Sequence, residues 1–158
     1  MSLDLQLNRF LPYRLNILSK KVSLALATRY QERFGLSIPE WRVLATLGQE
    51  QPLSSNDIVE RTAMDKAKVS RAVNRLVAAG LLDRQPHPRD QRLLRLSFSA
   101  RGRDLYAQVA PEALAWEAQL LSVLTDTERA QLWALMEKLE QRVAEEIPES
   151  VPLSDSLD

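Results

Sequence analysis

Apolar residues recur at steps of three and four along most of this chain, which is the spacing of one buried face on an α-helix. The first such run extends from Leu11 to Phe34, and Gly35 then provides a residue that can adopt the left-handed conformation at a helix end. A second, shorter run begins after Ser37 and ends near Gly48. The pattern predicts a long helix with one buried stripe, followed by a short helix. The stripe of the long helix consists of Leu11, Leu15, Leu18, Val22, Leu26 and Tyr30.

Two short helices joined by a tight connection are predicted next. Ser54–Asp57 opens the first, and Asp65 is placed to cap the second, which spans Lys66–Ala79 and is stopped by Gly80. Two short helices separated by a turn of three or four residues are the sequence pattern of a helix-turn-helix.

A two-stranded hairpin is predicted directly after this helix pair. Residues 81–85 and 93–99 are short apolar-polar runs, and the residues between them form a proline- and charge-rich turn. In the second run Leu94, Leu96 and Phe98 alternate with polar residues, which predicts that these three face the core. A hairpin in this position is a wing.

Two further helices and a tail complete the chain. Ser99 opens one helix, which Pro111 is expected to kink or restart, and the capping box of Thr125 and Glu128 opens the other. From Pro148 the chain is rich in proline, serine and acids, which is typical of disorder. The first helix and these two carry wider apolar stripes than a small core can bury, so we expect a partner to cover them.

The composition excludes several classes of enzyme site. The chain has no cysteine, which rules out disulfides, thiolate nucleophiles and cysteine-ligated metals. Its single histidine, His87, lies between two prolines and is better suited to shaping a turn than to a catalytic triad or a metal site. The four glycines stand too far apart for a nucleotide-binding motif. We therefore expect no catalytic residue, no cofactor and no metal ion.

The N-terminal residues lack the pattern of a signal peptide, and no apolar run approaches the length of a membrane span. A cytoplasmic protein is the expectation.

The charged residues are distributed unevenly, although the net charge is zero. Residues 1–65 carry eight basic and seven acidic side chains, a net charge of +1. Residues 66–103 carry ten basic and two acidic side chains (+8), and residues 104–158 carry three and twelve (−9). A dense positive segment is typical of a surface that binds a polyanion. Charge alone is equally compatible with an ordinary solvated surface, so the arrangement of the residues decides between the two.

The positive segment places hydrogen-bond donors where a helix-turn-helix would contact DNA. The predicted helix Lys66–Ala79 has no acidic residue, and its polar positions suit phosphates and base edges. Arg89 and Arg92 in the hairpin turn suit the minor groove. Asp90 is expected to hold the Arg92 guanidinium, with a turn-forming role as the alternative. The candidate contacts on the helix are Lys66, Lys68, Ser70, Arg71, Asn74 and Arg75.

With these motifs in place, the chain resembles the MarR (multiple antibiotic resistance regulator) family of winged helix-turn-helix transcription factors. Asp90–Gly102 fits the family's wing pattern D-x-R-x-x-x-L-x-L-T-x-x-G, with Phe98 for the second leucine and Ser99 for the threonine. Val69–Leu76 fits the recognition-helix pattern, and Leu124–Leu132 fits the opening of the last helix.

The resemblance implies a mainly α (α+β) fold and a division of the chain. Residues 1–36 and 100–147 would form a helical dimerisation region whose N- and C-terminal helices intertwine in a homodimer. Residues 37–99 would form the winged helix-turn-helix DNA-binding region, and residues 148–158 a disordered acidic tail.

The resemblance also implies a repressor that binds a pseudo-palindromic operator in double-stranded DNA and leaves it when a small aromatic carboxylate or phenolic effector binds. Tyr13, Arg14, Trp41 and Arg42 are the candidate effector contacts, since an arginine beside aromatic faces suits an aromatic acid. The alternative for these residues is structural, with Trp41 in the core and both arginines in interface ion pairs.

Two other functions remain open from the sequence. A winged-helix module can bind proteins without binding DNA, but such a wing need not be basic. An enzyme that uses carboxylates would draw on the acidic residues 104–158, yet these acids lie on amphipathic helix faces without a histidine or lysine cluster.

Overall fold

In the computed structural model of this chain, the described residues are 5–147, apart from the side chains of Gln91 and Arg92. The predicted tail therefore lies outside the described residues. The chain divides into two compact units, with the boundary between Ile38 and Pro39. Within residues 5–147, no helix is both long and apolar enough to cross a lipid bilayer.

The first unit consists of a short 3₁₀ helix (Leu7–Arg9) and the long helix α1 (Leu11–Phe34). Gly35 ends α1 in the left-handed conformation, with φ of 66°, and its N–H donates to the carbonyl of Gln31 at 3.0 Å. A residue with a Cβ is strained in that conformation, so glycine fits this position. The predicted bounds of the first helix are confirmed.

The apolar stripe of α1 is buried only near its C-terminal end. Ala27 and Tyr30 are buried, whereas Leu11 is half exposed, and Leu15 and Leu18 are 51% and 59% exposed. The prediction of one continuous buried stripe is therefore wrong for the single chain. Spacing defines the apolar face of a helix, but burial requires another surface, and a single chain leaves the start of this face open to solvent.

The second unit begins with three short helices, α2 (Ile38–Gln49), α3 (Ser55–Thr62) and α4 (Lys66–Ala78). A capping box starts α3. Ser54 N donates to Asp57 Oδ2 at 2.7 Å, and Asp57 N donates to Ser54 Oγ at 3.1 Å. The predicted helix-turn-helix pair is confirmed as α3 and α4, because both caps lie where the sequence placed them.

A three-stranded antiparallel sheet follows, with β2 (Leu82–His87), β3 (Asp90–Phe98) and the short β1 (Leu53–Ser54) in the order β1-β3-β2. The sequence analysis missed β1. Only Pro88 and Arg89 lie between β2 and β3, so the predicted seven-residue turn is wrong. Both strands extend further than their alternating residues do, because Pro86 pairs with Leu94 and His87 pairs with Asp90.

The register of the hairpin changes close to its tip. Leu82 pairs with Phe98 and the pairing continues to Pro86 opposite Leu94, after which His87 pairs with Asp90. The three residues 91–93 of β3 therefore bulge out with no partner in β2.

Two of the three core positions predicted in β3 are correct. Leu96 and Phe98 are buried, but Leu94, next to the bulge, is 47% exposed. Alternation fixes the face to which a side chain points, whereas its burial depends on how far along the strand that face is covered.

Two long helices end the described chain, α5 (Ala100–Leu121) and α6 (Asp126–Ala144). Helix α5 continues through Pro111, so the predicted restart there does not occur. Proline removes one backbone donor, which weakens a helix without always ending it. No residue of α6 is buried, and Trp133 and Leu135 are 51% and 59% exposed.

The core of the second unit draws on α2, the helix pair, the sheet and the first half of α5. Its members are Val43, Leu44, Leu47, Leu53, Ile58, Val59, Met64, Val69, Ala72, Val73, Leu76, Leu81, Leu82, Leu96, Phe98 and Val109.

Ser99 joins the turn after α4 to the start of α5. Its Oγ donates to the carbonyl of Gly80 at 2.7 Å, and its N–H donates to the carbonyl of Leu81 at 3.1 Å. The same Oγ accepts from Gly102 N at 2.9 Å and so caps α5. Gly102 is buried, and a Cβ at this residue would overlap the carbonyl oxygen of Leu81.

We predict that Gly102→Ala destabilises the protein. Helix propensity alone would make this change stabilising by up to about 1 kcal/mol. The overlap with a backbone atom instead predicts a loss of about 1–3 kcal/mol in the free energy of unfolding. Urea denaturation followed by circular dichroism, at one fixed protein concentration, measures the sign. The control Ala107→Gly, at an exposed position of α5, measures the effect of helix propensity alone in the same helix. A Gly102→Ala protein that is as stable as the unmodified protein, or more stable, would contradict the overlap.

Candidate nucleic-acid interface

The N-terminus of α4 is held by Asp65. Lys68 N donates to Asp65 Oδ1 at 2.7 Å, and the ammonium group of Lys68 lies 3.1 Å from Oδ2. The backbone hydrogen bond, followed by the side-chain contact with Lys68, keeps the pKa of Asp65 below its ordinary value. Asp65 is therefore ionised at neutral pH, and its charge also suits the N-terminal end of a helix.

One face of α4 is buried in the second unit. The spacing of apolar residues predicts a buried face of Val69, Val73, Leu76 and Val77, and the first three are buried, whereas Val77 is only half-buried. Ala72 is also buried and was missed. The signal for Ala72 was present, since residues 69, 72, 73 and 76 follow the spacing of one helix face.

The opposite side of α4 is exposed and contains no acidic residue. Every predicted contact on this helix lies there, so the fold brings them together as one surface of donors and positive charge. These six exposed residues are Lys66, Lys68, Ser70, Arg71, Asn74 and Arg75.

Arg84, which the sequence analysis did not select, contacts this surface. It lies on β2 opposite Leu96, and its Nη2 donates to Oδ1 of Asn74. In the sequence, only its positive charge within residues 66–103 pointed to Arg84, because its partner Asn74 lies on a different element.

The tip of the wing is a tight turn shaped by His87. Arg89 is exposed in the two-residue turn, and its backbone N donates to His87 Nδ1 at 3.1 Å. This contact is the turn-shaping role expected of the histidine. In the part of the chain that the structure describes, no group of three or more histidine or acidic side chains is placed to hold a metal ion.

Asp90 is exposed at the first residue of β3. The backbone of Arg92 lies in the bulge of β3, but its side chain is outside the described residues. The contact between Asp90 and Arg92 therefore stays a prediction.

The candidate effector residues lie on α1 and α2. Tyr13 and Arg14 are exposed near the start of α1, and Trp41 and Arg42 are half-buried on α2. Trp41 stacks against Tyr106 of α5, with the ring centroids 6.4 Å apart.

Tyr106 also stacks against Phe98, at 5.2 Å between centroids. Gly48 makes room for this tyrosine, because a Cβ there would overlap its ring. Trp41 therefore has a structural contact whether or not it also meets a ligand. The sequence indicates Tyr106 only as an apolar position of its helix and does not predict this contact.

A model of the MarR family matches residues 34–93, which include the helix pair and most of the wing. Among curated proteins, an HTH-type transcriptional repressor of Mycobacterium tuberculosis is 28% identical over 131 residues, covering 82% of this chain and 91% of that protein.

Solved structures show the same fold. A MarR/EmrR family transcriptional regulator from Acinetobacter sp. ADP1 is 29% identical with a TM-score of 0.81, covering 89% of this chain and 99% of that one. Bordetella bronchiseptica BpsR, whose DNA binding is regulated by 6-hydroxynicotinic acid, is 23% identical with a TM-score of 0.76, covering 85% and 96%. The relatives support a regulator rather than the carboxylate enzyme considered from the sequence.

We predict that Asp65→Ala lowers the melting temperature at neutral pH and that this difference disappears in acid. A carboxyl with a lowered folded-state pKa stabilises the fold above its ordinary value, near 4. That contribution is lost as the pH falls through the folded-state pKa. Thermal melts of the unmodified protein and of Asp65→Ala between about pH 7 and pH 2 measure the difference in melting temperature at each pH.

The matched control is Asp83→Ala, an exposed acid of the same basic segment whose side chain makes no hydrogen bond or ion pair with the described residues. If the melting temperature of Asp65→Ala stays below that of the unmodified protein by the same amount over the whole pH range, the capping role is contradicted.

Proposed function

We propose that this chain, which is similar to transcriptional regulators of the MarR family, is a homodimeric repressor that an aromatic or phenolic acid releases from a pseudo-palindromic operator. The main support for the proposed DNA binding is the surface of α4. One side of this helix is buried, and the other combines donors and positive charge without a single acid.

In this proposal α4 enters the major groove. Lys66 and Lys68 at its first turn neutralise phosphates, and Arg71 and Arg75 reach phosphates or the acceptor edges of guanine. Arg89 and Arg92 of the wing contact the adjacent minor groove, where the potential is most negative.

The proposed homodimer rests on apolar surface that a single chain leaves open. Leu15 and Leu18 on α1 and Trp133, Leu135 and Met136 on α6 are exposed. A second copy covering these faces would bury apolar area, and two-fold symmetry would place two α4 helices about one helical turn of DNA apart. This half-site spacing is why we propose a pseudo-palindromic operator.

The proposed effector is chosen for its fit to the candidate side chains. A guanidinium from Arg14 or Arg42 pairs with a carboxylate, and the rings of Tyr13 and Trp41 offer aromatic faces. The regulated neighbour BpsR supplies one compound for the test, 6-hydroxynicotinic acid, while the argument for the ligand class rests on these four side chains.

We predict that Arg71→Ala weakens specific DNA binding by about 1–3 kcal/mol per half-site and leaves the fold intact. The probe is a duplex enriched by the unmodified protein from a randomised double-stranded library, and fluorescence anisotropy measures its affinity. Lys138→Ala removes the same charge from an exposed position on α6 and should leave the affinity nearly unchanged. Equal affinities for the Arg71→Ala protein and the unmodified chain would remove α4 from the proposed interface.

We predict that one member of a panel of benzoate, hydroxybenzoates and hydroxynicotinates releases the enriched duplex. Affinity without the acid should also fall steeply with salt, since each neutralised phosphate releases counterions. Arg42→Ala should make release require more acid while leaving affinity in its absence unchanged. Tight binding that no acid relieves would contradict the effector proposal alone, and the absence of any enriched sequence would favour a protein-interaction module.

A further inference from the structure

We propose that Arg84 is a positioning residue that orients the side-chain amide of Asn74, so that α4 presents only N–H donors to an acceptor group of the DNA at this position. The inference rests on the proposed function, since it requires α4 to lie against DNA. The contact that carries it is the hydrogen bond from Arg84 Nη2 on β2 to Asn74 Oδ1 on α4.

The chemistry of this pair fixes which end of the amide faces which way. A guanidinium has five N–H donors and no acceptor, so it can bond only to the oxygen of the amide. An unrestrained asparagine can turn either end toward a partner, and its bidentate pairing with adenine uses the oxygen and the nitrogen together. The bond to Arg84 removes this freedom, because reversing the amide would set donor against donor.

The amide nitrogen is the group left for a ligand. Asn74 is exposed, and Arg84 is its only hydrogen-bonding partner among the side chains that the structure describes. The positive guanidinium beside Oδ1 also keeps a further donor, such as the amino group of adenine, away from that oxygen.

The neighbours of Asn74 on the exposed side reinforce this selection. Arg71, one turn earlier, and Arg75, the next residue, have donors and no acceptor. This half of the α4 surface therefore selects acceptors. The groups that fit are the N7 atoms of guanine and adenine, guanine O6, thymine O4 and phosphate oxygens.

A purely structural clip between α4 and β2 is the competing role for the same bond. It would affect stability, and its loss would weaken DNA binding whether or not Asn74 donates to DNA. Under either role the losses of the two single variants are non-additive, because each variant breaks the same bond, so a double-mutant cycle tests only whether the two residues act through that bond. The orienting role also requires an acceptor on the DNA whose removal abolishes the effect of Asn74→Ala, and the analogue duplexes below test for it.

The experiment measures affinity for the duplex that the unmodified protein enriches from a randomised library. Arg84→Ala and Asn74→Ala should each weaken binding about tenfold, as expected for one lost contact to DNA. The double variant should bind no more weakly than Asn74→Ala alone. Arg84→Lys keeps a donor and the charge, so it should recover most of the affinity. Thermal melts of every variant check that the fold is retained.

Analogue duplexes identify the acceptor. Single substitutions introduce a 7-deazapurine to remove N7, 2-aminopurine in place of guanine to remove O6, 5-methyl-2-pyrimidinone to remove thymine O4, or a methylphosphonate in place of one phosphate. At one position in the duplex, the substitution should make the unmodified protein and Asn74→Ala bind with equal affinity. A base analogue with this effect assigns the contact to the groove edge, and a methylphosphonate assigns it to the backbone.

Three results would overturn the inference while leaving the proposed function in place. They are additive losses in the double variant, full affinity in either single variant, and no analogue that abolishes the Asn74 effect. If the unmodified protein enriches no sequence, the proposed function fails and this inference fails with it.

Discussion

The position of the wing relative to α4 depends on the hydrogen bonds of Ser99. This residue bonds to the turn that ends α4 and also caps the first turn of α5. The hairpin lies between these two points, with Leu82 of β2 paired to Phe98 of β3 at its base. The side chain of Ser99 and the missing Cβ of Gly102 thus connect α4, the wing and α5. In the proposed dimer, α5 would in this way link the DNA-contacting elements to the region that joins the two copies.

Local signals explain why much of the fold could be predicted from the sequence. The ends of α1, α3 and α4 depend on neighbouring residues, such as Gly35 in the left-handed conformation and Asp65 bonded to Lys68. Such contacts join residues only a few positions apart, so a short stretch of sequence is enough to predict them. The exposed surface of α4 could be predicted for the same reason, since helix periodicity alone separates it from the buried face.

The features that were missed depend on residues far apart in the chain. Strand β1 has two residues and no periodicity of its own, and it exists because Leu53 pairs with Leu96. The contact of Arg84 with Asn74 joins a strand to a helix, so no spacing rule points to it. The exposed stripes of α1 and α6 were expected to need a partner, but the sequence pattern could not show which parts a single chain would leave open.

The bulge in β3 separates the base of the wing, whose pairing is constrained by the core, from its tip, which is not. The base of the hairpin must keep its register, because a slip of one residue would turn Leu96 and Phe98 away from the core. The tip carries no such requirement, since residues 91–93 have no partner in β2. Changes in the length or sequence of this stretch can therefore accumulate without shifting the pairing below it. If the tip reaches the minor groove as proposed, the residues that contact DNA there could change while the hydrophobic core of the second unit stays the same.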